Sequence, residues 1–284
     1  MKKVLYPILA IVVFMVMQCI AGIVLAVCMI ISKPECIRLL KETGDVKIFT
    51  EQLLTGSGMG WAITLSGLLT IGIIAMMKMI NWKTVLNFGM IDWKTGWLAI
   101  AGGITGIFVL GIFEELLNLP NDMEDLFTMM SNTLGGALSI AILGPIIEEF
   151  IFREGILGHM LRNGMNKWGA ITASALIFGI IHMNPAQIPF AAGMGFILGI
   201  IYYKTGNIVI PCMLHILNNS VATAMMYTLG EEAKDYSILE EMGGAVLALP
   251  IVIIGATICH TTLRKFWTLS KTNITQLPEV EHEV

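Results

Sequence analysis

VLYPILAIVVFMVMQCIAGIVLAVCMII, Val4 to Ile31, contains no charged side chain. A helix of about 20 apolar residues crosses the hydrocarbon core of a bilayer, so this run predicts a membrane-spanning segment. The apolar core of a signal peptide is shorter, and the reading is a retained first helix behind Lys2 and Lys3. The rest of the chain agrees. Its 284 residues are 56% hydrophobic and 13% charged, with mean hydropathy +0.78, whereas a soluble protein carries about 25% charge.

The fold class is therefore all-α, a polytopic membrane protein with about eight transmembrane helices. They fall at 4–31, 59–80, 96–117, 133–161, 168–182, 187–203, 207–229 and 243–263. The fourth is over-long and the fifth short. The chain reads as a single integral-membrane domain, 1–284, with no internal repeat. The glycine-rich stretch Gly193–Gly199 suits close helix packing. A net charge of −4 without a basic stripe excludes a nucleic-acid partner. Cys19, Cys28, Cys212 and Cys259 sit in apolar runs and Cys36 in a loop, which makes neither a disulfide framework nor a paired-thiol zinc site.

Lysine and arginine collect on the cytoplasmic side of membranes. An N-terminus inside places Lys2, Lys3, Lys78, Lys83, Lys94, Arg162, Lys167, Lys204 and the basic residues of 264–271 on that side. Lys33, Arg38, Lys41, Lys47 and Lys234 fall outside. Both termini are then cytoplasmic, 265–284 is a solvated tail, and the lipid bilayer is an obligate partner. His282–Glu283 in the tail lacks the second histidine of a zinc-binding helix.

Within the fourth span, GPIIEEFIFR (Gly144–Arg153) places three charges where charge is expensive. Glu149 and Arg153 are spaced i,i+4 with the acid first, the favourable order for a pair on one helix face. Glu148 points elsewhere and is left for another task. An ion pair that only joins helices would explain Glu149 and Arg153, but other ionisable groups crowd the same half of the chain. His182 ends the fifth span in FGIIHMNP, and His215 lies in MLHILNN with Asn219 at i+4.

A hairpin turning near Met165 puts Glu148 and His182 seventeen residues away on either arm, about 25 Å along each at 1.5 Å per residue. His215, nine residues past Gly206, is about 13 Å into its helix from the same side. Glu114–Glu115, His159 and His260 read as interfacial. A carboxylate taken out of water is a stronger base toward a water molecule. A histidine can orient that water, and a second histidine with an amide can donate to an oxyanion. Those parts suffice to hydrolyse a carbonyl compound. There is no GxSxG nucleophile elbow, and no cysteine has a recognisable base partner.

The ordered motifs EEFIFR, FGIIH and HILNN resemble the EExxxR, FxxxH and HxxxN motifs of the CAAX protease and bacteriocin-processing family (CPBP, or Abi) of intramembrane proteases. That family is related to the type II CAAX prenyl endopeptidase. The resemblance covers a core at 133–229. It implies an intramembrane peptidase in which Glu148 and His182 activate water and His215 with Asn219 stabilises the oxyanion. Glu149, Arg153 and Phe178 act in support, Phe178 packing one turn below His182. Glu154 departs from the glycine of many members and adds a third acid. The substrate class implied is a membrane-associated peptide or protein, in a bacterial inner membrane.

No cofactor is favoured. Zinc or another divalent metal would take Glu148, His182 and His215, but Glu149 is committed to Arg153, whose charge repels a dication. Two other functions compete with proteolysis. An ion- or proton-coupled transporter should show repeated halves. A non-catalytic immunity or scaffold protein would have no need to retain every motif residue.

Overall fold

The computed structural model describes residues 2–44, 55–230, 232 and 236–272. Lys47, Lys234 and His282–Glu283 lie outside the described residues, as does most of the tail. No strand occurs among the described residues. The long helices are α1 (Lys2–Ser32), α3 (Gly56–Met76), α4 (Trp93–Leu117), α6 (Leu134–Arg162), α8 (Gln187–Thr205), α9 (Val209–Leu229) and α11 (Ala245–Leu269). These seven are long and apolar enough to cross a membrane. The eighth anticipated span is α7 (Lys167–Ile180), a helix of 14 residues and too short to cross by itself. Three short helices that the hydropathy pattern missed join them: α2 (Pro34–Thr43), α5 (Glu124–Ser131) and α10 (Ile238–Glu241).

The turn between α6 and α7 falls where the sequence placed it. Gly164 takes φ +75°, and the Asn166 side chain accepts from the amides of Trp168 and Gly169, starting α7. α6 is the central helix. Every residue from Glu149 to Gly158 is buried. Two parts of α6, Ser139–Leu143 and Glu149–Gly158, are wound as π-helix, a form that recurs at functional sites. α1 covers one side of α6, with Phe14 edge-on to Phe152 and Tyr6 stacked on His159.

The glycine-rich stretch packs as its composition suggests. A Cβ on Gly195 would lie 3.2 Å from the Cα of Ala175, and one on Gly179 would lie 2.7 Å from the carbonyl oxygen of Ile188, so α7 and α8 approach backbone to backbone. Another such contact is at Gly60 of α3, where a Cβ would sit 2.5 Å from the Gly135 carbonyl oxygen and 2.8 Å from the Gly136 Cα. Neither neighbour is a side chain that can turn away. Gly60→Val is expected to cost roughly 1–3 kcal/mol, read as a fall in thermal unfolding temperature in detergent. Gly72, exposed on the same helix with nothing within 4 Å of its Cβ direction, is the control: Gly72→Ala should stabilise slightly.

The connection from α8 to α9 is enclosed by another part of the chain. Residues Lys204 to Ile208 are buried. The amide of Ile208 donates to the Val85 carbonyl at 3.0 Å, and the Asn207 side chain donates to the Asn87 carbonyl at 3.3 Å. The segment 77–92 therefore roofs this turn. α9 therefore begins beneath this segment.

Candidate active site

The site grows from α6. Glu149 and Arg153 are each 0% exposed, and the Arg153 Nε lies 3.1 Å from the Glu149 Oε2, an i,i+4 ion pair off the ideal hydrogen-bond direction. The guanidinium carbon stands 4.5 Å from the centroid of the Phe178 ring. A cation over an aromatic face gains electrostatically when both are out of water. Phe178 thus helps to hold Arg153, a role beyond packing against its own helix.

α9 contributes His215, which is 2% exposed. Its Nδ1 donates to the Glu149 Oε1 at 2.9 Å, because a carboxylate at that position can only accept. That bond fixes the ring orientation and turns Nε2 toward Glu148, whose Oε2 is 3.6 Å away. The Glu148 side chain is 28% exposed. Of the two adjacent acids, one is sealed and paired, and the other is open. One turn along α9, the Asn219 side-chain amide donates to the Ile140 carbonyl at 3.0 Å, while its oxygen accepts from Asn218.

His182 follows the C-terminal end of α7 and is half-buried. Its Nδ1 lies 2.7 Å from the Phe178 carbonyl oxygen. A carbonyl only accepts, so Nδ1 carries the proton and a neutral ring offers its lone pair at Nε2. Both histidine rings meet Phe178 edge to face, His182 at 4.9 Å and His215 at 5.8 Å between centroids. The structure therefore brings Glu148, Glu149, Arg153, Phe178 and His215 into direct contact and joins His182 to them through the Phe178 ring. Among the described residues no hydrogen bond links Glu148 to His182. Beside Asn219, a groove of about 450 Å³ opens between α6 and α9, with Ala137, Ala141, Ser220 and Thr223 in its walls.

Residues 130–221 match the family described as type II CAAX prenyl endopeptidase Rce1-like. Over this segment the chain resembles that family. Two named relatives agree. YdiL of Bacillus subtilis, provisionally named a membrane peptidase, is 29% identical over 134 residues, which are 45% of this chain and 54% of YdiL. The membrane-embedded CAAX protease MroQ of Staphylococcus aureus is 34% identical over 85 residues, 28% of this chain and 34% of MroQ. The matched part thus spans about half of the first relative and a third of the second. No solved structure is significantly similar to the chain.

The structure also holds contacts that sequence reasoning missed. Glu154, the third acid, is 0% exposed and balanced. Its Oε1 meets the Arg162 Nη1 at 2.7 Å and accepts from the Asn81 amide at 2.8 Å, while Oε2 accepts from the Tyr202 hydroxyl at 2.6 Å. Arg162, taken from sequence as a cytoplasmic loop cation, is this internal partner. His159 is enclosed as well. It is 4% exposed beneath Tyr6. Glu115 accepts from the Ser237 hydroxyl and the Leu239 amide, tying the end of α4 to the start of α10. His182 is steadied from the next turn, where the Asn184 side chain donates to Asn121 at 2.8 Å. Sequence reasoning weighed only i,i+4 spacing within a helix, whereas Arg162 is eight residues from Glu154 on α6 and the other partners come from other elements.

As for a metal, among the described residues no three His, Cys, Asp or Glu side chains converge as a metal-holding group. Glu148, His182 and His215 do not form the set a catalytic zinc needs. Glu149 and His215 Nδ1 are already bonded to each other.

Proposed function

We propose that the chain is an intramembrane endopeptidase that cuts a membrane-associated peptide or protein with an activated water. The observation that carries this reading is His215, held by sealed Glu149 on one nitrogen and facing open Glu148 with the other. In the reading, water sits between the Glu148 carboxylate and His182 Nε2. Glu148 takes a proton, and the oxygen attacks the scissile carbonyl carbon. The oxyanion accepts from His215 Nε2 in its doubly protonated form and from the second amide hydrogen of Asn219. Glu149 then balances the charge on His215, the part an orienting carboxylate plays beside a catalytic histidine. The proton on Glu148 passes to the leaving nitrogen, giving a carboxylic acid and an amine and restoring the Glu148 carboxylate. The α6–α9 groove supports entry of an extended substrate beside Asn219.

Hydrolysis without a resident metal is part of this proposal. Purified protein that cleaves a substrate is expected to keep its rate after exhaustive chelation, with no stoichiometric metal by elemental analysis. Loss of activity on chelation, restored by zinc, would move His215 from oxyanion donor to ligand. The reading further places both termini in the cytoplasm of a bacterial cell. Cysteines introduced at Lys2 and Lys271 should label only from inside, and those at Asp122 and Glu232 only from outside. Inside labelling at Asp122 would reverse the arrangement.

A further inference from the structure

A second cluster lies away from the Glu148 site, where the start of α7, the end of α8 and the end of α11 meet. Trp168 stacks on Trp267 at 5.1 Å and Tyr203 stacks on Trp267 at 5.4 Å. The ammonium groups of Lys167 and Lys204 lie 5.1 and 5.0 Å from the Trp267 ring centroid. Lys204 is 6% exposed, and its ammonium donates to the Thr272 hydroxyl at 3.0 Å. Arg264 is exposed one turn before Trp267. Among the described residues none of these three cations has a carboxylate within 4.0 Å. An enclosed lysine without an anion is costly, and aromatic faces offset only part of that cost.

An apolar groove of about 440 Å³ runs from this cluster toward the middle of the helices. Val109 and Leu110 of α4, Ile197 and Ile200 of α8, and Ala256 and Leu263 of α11 line it, with Trp168, Arg264 and Trp267 also in its wall. A basic end and an apolar body are the two halves of one kind of ligand. Basic pockets between membrane helices recognise lipid head groups in this way. We infer that the groove holds an anionic phospholipid, its phosphate on Lys167, Lys204 and Arg264 and one acyl chain between α4, α8 and α11. The chain's own tail, with Glu279, Glu281 and Glu283 beside Ile274, Leu277 and Val280, is the competing occupant, and the lipid comparison separates the two. A bound lipid would clamp the start of α7 to the ends of α8 and α11, which braces the helix that leads to Phe178 and His182.

Native mass spectrometry of the full-length protein released from detergent tests this. Offered phosphatidylglycerol and phosphatidylcholine with identical acyl chains, the wild type should retain one phosphatidylglycerol with roughly tenfold or greater preference, given three basic contacts. The triple variant Lys167→Gln/Lys204→Gln/Arg264→Gln should lose the preference. Ile200→Trp, which fills the groove and keeps every charge, should weaken retention. Equal retention of the two lipids by the wild type overturns the inference, and that comparison stands even if a variant fails to fold. Equally strong retention of soluble glycerol phosphate would also overturn it, because the groove would then be irrelevant. So would a preference that emerges only once Glu279, Glu281 and Glu283 are changed to Gln, since the anion would then be the chain's own tail.

Discussion

Glu148→Ala is expected to lower hydrolysis by roughly 10²–10⁴-fold, the usual contribution of a positioned general base, while the fold stays intact. Its side chain is 28% exposed, and its contact with His215 is long at 3.6 Å. Removing it leaves Glu149 in place as the partner of both Arg153 and His215. Thermal unfolding should therefore shift little. His182→Ala should behave alike, since the ring is half-buried and bonded to a single carbonyl. Both variants are checked by product formation at equal folded concentration. Wild-type turnover by either one would remove that residue from the water-activating role.

Arg153→Ala is expected to act through stability. It takes the partner from Glu149 in a place with no solvent access and empties the space against Phe178. Stranding one member of a buried pair costs roughly 3–5 kcal/mol. Detergent-solubilised protein should unfold at a markedly lower temperature, and activity should fall with the folded fraction. The double variant Glu149→Gln/Arg153→Met removes both charges and should recover part of the loss, because neutral replacements avoid the stranded charge. An Arg153→Ala protein as stable as wild type would show that the pair does not hold α6 in place.

These two variants separate roles that sit on adjacent residues of one helix, and that separation was legible in EEFIFR. The i,i+4 order predicted the Glu149–Arg153 pair, and the pair forms even though the helix there is wound more widely than the 3.6-residue period assumed. The hairpin turning near Met165 and the short seventh helix were readable too, from the glycine and asparagine of the turn and from span lengths. The link between Glu149 and His215 was not. It joins residues 66 apart in sequence, on two helices whose mutual placement cannot be read from spacing within either one. The Glu154–Arg162–Tyr202 network escaped for a similar reason. Spacing within a helix could not reveal Tyr202 on α8 or the Asn81 amide as partners. Arg162 looked like an ordinary loop cation because it closes the apolar run, yet it turns back into the protein to meet Glu154.

The central claim is that this constellation hydrolyses peptide bonds. The most direct test reconstitutes the purified protein in liposomes with a library of membrane peptides and proteins, and sequences the new termini by mass spectrometry. Wild type, Glu148→Ala and His182→Ala are compared at matched folded amounts. The account requires new N-termini with the wild type and none above background with either variant. Cleavage by Glu148→Ala at the wild-type rate, or no cleavage of any substrate by folded wild-type protein, would contradict it.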